Sequence, residues 1–401
     1  MGAIPSNLRR MNERTIVNLL GRMGLASRAE LAKAAGISQP TAGKITQELL
    51  RLGIVQEVDE ETQSEDPAIA GRIGRPGRLL RLNSDHPRFL VIQMGVAQTS
   101  LALLAVAVAD DDHWSHAFDT PASAEEWIKR VQVTIGPIDA EQLWGVLISV
   151  PGIVDEQEGK VLFSPNLHWT ERVNLPELVQ AVWPVPVLLV QEIRALALGH
   201  LAAEPHGEDF LLVDFGQGVG GAIVQHGKLF DSTLPLSGEL GHTTVIGNSR
   251  ACGCGAVGCV ETLISRRGLL QSFAASGVAG PTTWPALSHY LAENAMPHWL
   301  ERSLDAASAI IAGALNVLGL KRAVITGSLT ELPPGVIEHL AKGVKQGAMW
   351  ARFGEVACQS AQRRRAMGLV GVGVDRLLIP DTTRHSFAGT NHSHQIASFR
   401  K

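Results

Sequence analysis

Between Gly238 and Glu261 the chain reads GELGHTTVIGNSRACGCGAVGCVE, which gathers three of its four cysteines with a histidine in the spacing His242-x9-Cys252-x-Cys254-x4-Cys259. Thiolate and imidazole are the ligands that a tetrahedral zinc ion takes, and a Cys-x-Cys pair with a third cysteine across a short loop can wrap one ion without help from distant sequence. Glycines at 253, 255 and 258 allow the tight backbone such wrapping needs. The competing reading, a glycine-rich loop with buried free thiols, leaves the coincidence of four soft ligands unexplained. His242, Cys252, Cys254 and Cys259 fill all four positions and leave none for a catalytic water, so the expected role of Zn2+ is structural.

The same residues carry a resemblance. Gly238-Glu239-Leu240-Gly241-His242, followed by C-G-C-G-x-x-G-C-x-E, resembles the signature of the ROK family, which groups sugar kinases with sugar-responsive transcriptional repressors. The resemblance implies a two-lobed actin-like (ribonuclease H-like) α/β body with a structural zinc loop, a metal-ligating His242 close to the sugar, and sugar contacts from Glu239 and Glu261. Pro151-Gly152-Ile153-Val154-Asp155 and Ser164-Pro165-Asn166-Leu167-His168-Trp169 also look like family motifs, and Asn166 matches a sugar contact there. Taken alone, either stretch is only a turn.

Several positions depart from the kinase pattern. Strands are expected over Phe89–Gln93 and Ser100–Val108, and the hairpin between them resembles an Asp-x-Gly-Gly-Thr phosphate loop. Gln93 stands where the resemblance implies a magnesium-holding aspartate, and Val96 replaces a glycine; a neutral amide is a poor magnesium ligand. A buried strand over Val185–Val190 leads into Gln191-Glu192-Ile193-Arg194, where the kinases have Asn-Asp-x-Asn with the aspartate as general base. Glu192 is one methylene longer. That displaces a carboxylate by about 1 Å, a shift that costs a positioned reaction on the order of a hundredfold and costs hydroxyl binding less. Gly216-Gln217-Gly218-Val219-Gly220-Gly221, between strands Leu211–Phe215 and Ala222–Val224, can cradle phosphate on successive amides, although a glycine hairpin is often only a turn. Gly327-Ser328 resembles an adenosine-side loop with two glycines missing. The sugar side is thus kept while the nucleotide side is eroded.

The elements that must position these residues follow from length and pattern. The chain has 401 residues, enough for two or three domains with a sizeable core. Net charge is −4, so the whole chain is no general polyanion binder, but residues 1–82 hold 12 Lys+Arg against 9 Asp+Glu. Six of those nine acids sit in Glu57–Asp66, which leaves the first 56 residues clearly basic. No apolar run is long and clean enough to span a bilayer, and no secretory signal pattern is evident. Clustered cysteines with only Cys358 left over suit a reducing compartment, so the expected location is cytoplasmic.

At the N-terminus, helical spacing of Ile16, Leu19, Leu20 and Met23 predicts a helix over Asn12–Met23. Ser27 is placed to cap a second helix, Arg28–Ala35, and Gly36-Ile37 makes a turn. Ser38 then caps a third helix to about Leu52, with Pro40 in its first turn. Ala42, Ile45, Leu49 and Leu52 form its apolar stripe. Strands at Ile54–Val58 and Arg78–Leu82 complete the expected winged helix-turn-helix, whose third helix would enter the major groove with Ser38, Gln39, Pro40, Thr41, Gly43, Lys44 and Gln47. Gly74-Arg75-Pro76-Gly77-Arg78 resembles an AT-hook core, so Arg75 and Arg78 are assigned to the minor groove. A plain three-helix interaction bundle is the bland alternative.

The expected domains are therefore 1–82, the winged helix-turn-helix and linker; 83–200, a first lobe; and 201–401, a second lobe with the zinc loop, its C-terminal helix returning to the first. The sugar site is expected at Asn166, Glu192, Glu239, His242 and Glu261, with no catalytic residue. The sequence reads as a DNA-binding repressor of carbohydrate genes, a homodimer or dimer of dimers, released from operator DNA by a monosaccharide and with no membrane partner. Its rivals are an active ATP-dependent sugar kinase that also binds DNA, and a scaffold for a transport protein.

Overall fold

A computed structural model describes residues 5–58, 78–108, 114–204, 209–230, 232 and 236–379. The chain divides into two compact units, Met1–Ser84 with Val372–Lys401, and Asp85–Gly371.

In the first unit α1 (Pro5–Met23), α2 (Arg28–Ala35) and α3 (Gln39–Arg51) pack on a sheet of β1 (Ala26–Ser27), β2 (Val55–Glu57) and β3 (Leu79–Leu82) in the order β1-β3-β2, antiparallel throughout. The local chemistry explains each boundary. Ser27 and Glu30 form a reciprocal capping box on α2, and Gly36 closes it in the left-handed region at φ 65°. Ser38 accepts the Thr41 amide at the start of α3, with proline in the first turn. Ile16, Leu20, Leu31, Ala42, Ile45, Leu49, Ile54 and Leu80 form the core. Three details differ from the sequence expectation. α1 starts seven residues earlier than Asn12, and the two-residue β1 adds a third strand too short to leave a periodic signal. The buried stripe of α3 takes Thr46, whose hydroxyl donates to the Gly43 carbonyl at 3.1 Å, in place of Leu52, which caps the helix half-buried. The acidic run beyond Val58 and the segment with Arg75 lie outside the described residues.

The second unit holds two five-stranded mixed sheets. The first is β10-β7-β4-β5-β6, with β4 (Phe89–Met94), β5 (Gln98–Leu104), β6 (His116–Asp119), β7 (Gly145–Val150) and β10 (Val187–Gln191). The hairpin β8 (Ile153–Asp155) and β9 (Lys160–Phe163) stands apart. The second sheet is β13-β12-β11-β14-β15, with β11 (Phe210–Phe215), β12 (Val219–Gln225), β13 (Lys228–Leu229), β14 (Arg322–Gly327) and β15 (Ala357–Ser360). Both sheets run as 3-2-1-4-5 in their own strand numbering. In each, the first strand pairs antiparallel with the second and parallel with the fourth. The sequence has no repeat at a fixed period, yet the topology is duplicated. Strands β4, β7 and β11 are buried along nearly their whole length and are apolar apart from Gln93, Ser149 and Asp214.

Helix α4 (Ala124–Ile135) buries Trp127, Ile128 and Val131 against the first sheet. The second sheet packs on α8 (Arg266–Ala275), α9 (Trp284–Glu293), α10 (His298–Leu318) and α11 (Pro334–Gly347) around Leu300, Leu304, Ile311, Leu340 and Val344. The remaining helices are α5 (Leu175–Gln180), α6 (Glu192–Ala203), α7 (Glu261–Ile264) and α12 (Arg365–Gly373).

One buried group makes the fold sensitive to acid. His200 on α6 is 1% exposed, packs edge-on against Phe210 with ring centroids 5.0 Å apart, and neither ring nitrogen has a hydrogen-bond partner. Burial lowers its pKa to about 4, with Glu204 partly opposing. Because the folded-state pKa lies below the unfolded one, this contribution is complete above about pH 6.5 and is lost as pH falls toward 4. The native chain is expected to lose on the order of 2 kcal/mol more stability than His200→Leu between pH 7 and pH 5. Urea melts of both proteins at the two pH values measure the difference, and parallel losses would contradict it.

Candidate metal centre and carboxylate cluster

The His242, Cys252, Cys254 and Cys259 ligand atoms all lie within 4.8 Å of one another, as the spacing of those residues requires. The loop that carries them is pinned by short bridges, Thr244 with Cys259 and Ala251 with Val257. Two side chains outside the ligand set hold it to the body. Arg250 donates to the carbonyls of Thr262 and Gly268 and to the Ser272 hydroxyl, and Asn248 Nδ2 donates to the Cys259 carbonyl and the Thr262 hydroxyl. Sequence reading passed over both, because neither residue type ligates a metal.

The donors suit a soft, four-coordinate cation. Cys254 and Cys259 sulfurs are 3.7 Å apart, and His242 turns Nδ1 toward Cys252 Sγ at 3.6 Å. Burial and the neighbouring thiols push the Cys259 thiol up to about 12, and burial raises Cys252 as well. Three crowded thiols with an imidazole are the donor set that a divalent ion of zinc's class holds as thiolates.

Two carboxylates contact this cluster through different ligands. His242 Nε2 faces Glu239 Oε2 at 3.7 Å, and Cys252 Sγ lies 3.8 Å from Glu261 Oε1. Glu261 opens α7, and its other oxygen accepts the Val219 amide at 2.9 Å. Glu239 is fixed by its neighbour Gly238, which has φ 87° and whose carbonyl accepts the Gly221 amide at 2.7 Å. A side chain at 238 would run into the Gly221 carbonyl. Burial raises the Glu239 pKa, with His242 opposing and Glu261 adding to the rise.

The other expected sugar contacts divide. Gln191, at the end of β10, donates to Glu239 Oε1 at 3.4 Å, so the residue that reaches the acidic pair is Gln191, which the sequence reading had treated only as a lost asparagine. Glu192, the first residue of α6, points elsewhere: its Oε1 accepts from Arg365 Nε at 2.6 Å and from Gln93 Nε2 at 3.2 Å. Asn166 is exposed on a loop whose Pro165 lies against Gly253 of the metal loop. Asp214, Arg363 and Arg365 were also missed, since lone charged residues carry no spacing signal.

The family model "ROK family" matches residues 89–374. The chain is 28% identical over 273 residues to the xylose repressor of Caldicellulosiruptor bescii, a match spanning 66% of each chain. It is 25% identical over 275 residues to the DNA-binding transcriptional dual regulator NagC of Escherichia coli K12, covering 66% of this chain and 64% of that one. The crystal structure of a ROK family transcriptional regulator, a homolog of the E. coli MLC protein, superposes on 92% of this chain and 97% of its own with TM-score 0.64 at 18% identity.

If the four ligands act as a unit, Cys254→Ser removes bound metal and loosens the loop between Glu239 and Glu261. Elemental analysis of the purified protein is expected to give about one metal ion per native chain and a small fraction of that in the variant. The variant's melting temperature should also fall by several degrees, and an unchanged melt with full metal content would refute the assignment.

Proposed function

The chain belongs to the ROK family, and from that membership we propose that it is a sugar-responsive, DNA-binding transcriptional regulator, a repressor released from its operator by a monosaccharide. The observation that carries this reading is the exposed face of α3. Ser38, Gln39, Pro40, Thr41, Lys44 and Gln47 are all exposed there, while Ala42, Ile45 and Leu49 are buried. A capped helix with small polar groups at its N-terminal end, preceded by a glycine turn and followed by a β-ribbon, is the geometry that enters a major groove. We read the first unit as a winged helix-turn-helix. Arg78 stands at the ribbon's edge, where its Nη1 pairs with Glu57 at 2.7 Å.

The relatives named as repressors of xylose and N-acetylglucosamine functions support a carbohydrate effector. We place it at Glu239, Glu261 and His242, with Asn166 and Glu192 at its edge and Zn2+ as the ion that holds the loop. The kinase reading requires Glu192 to take a proton from a sugar hydroxyl, and its engagement by Arg365 and Gln93 counts against that role. Two half-sites on DNA call for a homodimer. The cytoplasm, where thiols stay reduced, is the fitting compartment, and among the described residues no helix is long and apolar enough to cross a membrane.

Operator sequences selected in vitro with the full chain supply the DNA for two tests. Gln39→Ala is expected to relax base preference at one position by about 1–3 kcal/mol, while Lys44→Ala weakens all sequences alike and lowers the salt slope by about one unit. Binding indifferent to both changes would mean that another element reads the DNA. For release, Glu239→Ala should stay on the operator at sugar concentrations that free the native protein. A tenfold preference of sugar for the DNA-incompetent state corresponds to about 1.4 kcal/mol of coupling, and reciprocity makes operator DNA weaken sugar binding equally. Identical release curves for the two proteins, or tighter DNA binding on adding the sugar, would sink the mechanism.

A further inference from the structure

Strands β11 and β14 run side by side in the second sheet with Phe215 opposite Gly327. Both leave the sheet on a glycine, Gly216 directly after β11 and Gly327 at the end of β14 with φ 97°. Ligands of α/β sheets bind beyond the carboxyl ends of the parallel strands, and glycine turns there let phosphate oxygens approach main-chain amides. This cradle is not open. A Cβ built on Gly216 would lie 2.7 Å from Arg363 Nη2, and one built on Gly327 would lie 2.7 Å from the same atom. One guanidinium nitrogen is therefore seated over both glycines; at Gly327 the Phe215 carbonyl, 2.5 Å from the same Cβ position, crowds one side as well.

The guanidinium is held from below. Asp214, the penultimate residue of β11, accepts Arg363 Nε on Oδ1 at 2.7 Å and Nη2 on Oδ2 at 2.8 Å. Thr326 of β14 adds a hydroxyl to Oδ1 at 2.8 Å. This two-pronged fork is the strongest geometry open to a carboxylate and an arginine. Burial works against the charged carboxyl, but Arg363 offsets it and holds Asp214 below the usual carboxylate range. Arg363 also forms part of the wall of a cavity of about 490 Å³ lined by Gly327, Thr330, Glu331, Ser360 and Gln362, among them a second carboxylate that phosphate would meet.

We propose that Arg363 is an internal occupant of a phosphate cradle, and that the Asp214–Arg363 pair bars nucleoside polyphosphates from the second lobe. Exclusion works on two counts. The guanidinium fills the space above Gly216 and Gly327, and if it swings away it uncovers a carboxylate that repels phosphate. Both residues must therefore change for the cradle to open. The inference concerns a phosphorylated ligand alone and holds whatever sugar or operator the chain recognises.

The test titrates tripolyphosphate and magnesium AMP-PNP into the native chain, Arg363→Ala and the double variant Asp214→Thr/Arg363→Ala, by calorimetry and thermal shift. The native protein is expected to show no saturable binding at millimolar ligand. Arg363→Ala alone leaves Asp214 without its ion-pair partner and should bind no better, whereas the double variant should gain at least about tenfold in affinity for tripolyphosphate. Should the double variant lose its cooperative melt, Asp214→Asn/Arg363→Gln keeps an amide pair in place with a shorter side chain, and the same gain is expected. Native binding as tight as that of either double variant would make Arg363 a ligand and overturn the proposal. A folded double variant with no affinity for either compound would overturn it too.

Discussion

Four ligand atoms drawn within 4.8 Å of one another form the constraint on which the candidate site depends. The loop between Thr243 and Val257 has almost no core of its own: Ile246 is 98% exposed and Val257 57%. Such a segment cannot offset its ordering entropy by burial. Its shape is set by the thiol–imidazole cluster and by the Arg250 and Asn248 side chains that tie it to α7 and α8. Glu239 and Glu261 flank this loop, one against His242 and the other against Cys252. The separation of the two carboxylates therefore depends on the cluster together with β12, whose Val219 amide holds Glu261 and whose Gly221 amide holds Gly238, and a change in the ligands acts on the acids from the loop side.

The duplicated sheet order puts polar residues at corresponding places in the two five-stranded sheets. Gln93 lies near the end of β4 and Asp214 near the end of β11, the first strand of each sheet. Each meets an arginine-bearing network drawn from a single short segment, because Arg365 reaches the Glu192 that Gln93 contacts and Arg363 reaches Asp214. Arg363 lies just before α12 and Arg365 is its first residue, so one short segment serves both sheets at once. Removing one partner of either pair would strand a largely buried charge, which typically costs 3–5 kcal/mol and exceeds what the pair itself contributes.

Much of this was legible in the sequence, for local reasons. The capping serines, the helix-turn spacing, the apolar strand runs and the Cys/His cluster are all signals carried within about twenty residues, and the strands that were expected fall within a few residues of β2, β3, β4, β5, β10, β11 and β12, whereas the short β1, β6, β8, β9, β13 and β15 carried no expectation. What stayed hidden was long-range. The partners Glu192 and Arg365 are separated by 173 positions, and Asp214 and Arg363 by 149. No spacing rule connects residues so far apart, and an isolated arginine in a polar run reads as a solvated charge. The third strand of the N-terminal sheet was invisible because two residues cannot display a period. The sheet duplication left no repeat in the sequence and was expected only through the two-lobed architecture that the family resemblance implies.

The charge arrangement bears on which ligands the body can accept. Phosphoryl transfer with a divalent cation needs carboxylate oxygens free to share the ion and a cradle free to take phosphate. In this chain Glu192 and Asp214 are each matched by an internal arginine, and Gln93 adds a hydrogen-bond donor to Glu192 where a second carboxylate would repel it. That network is satisfied without any added ion. Glu239 is different: its described partners are an amide at 3.4 Å and an imidazole at 3.7 Å, both long, and burial raises its pKa. A hydroxyl can shorten that hydrogen bonding without bringing charge into the site, and a polyhydroxylated neutral molecule offers several at once. Charge balance alone therefore separates Glu239, whose partners are long, from Glu192 and Asp214, each already matched by an arginine.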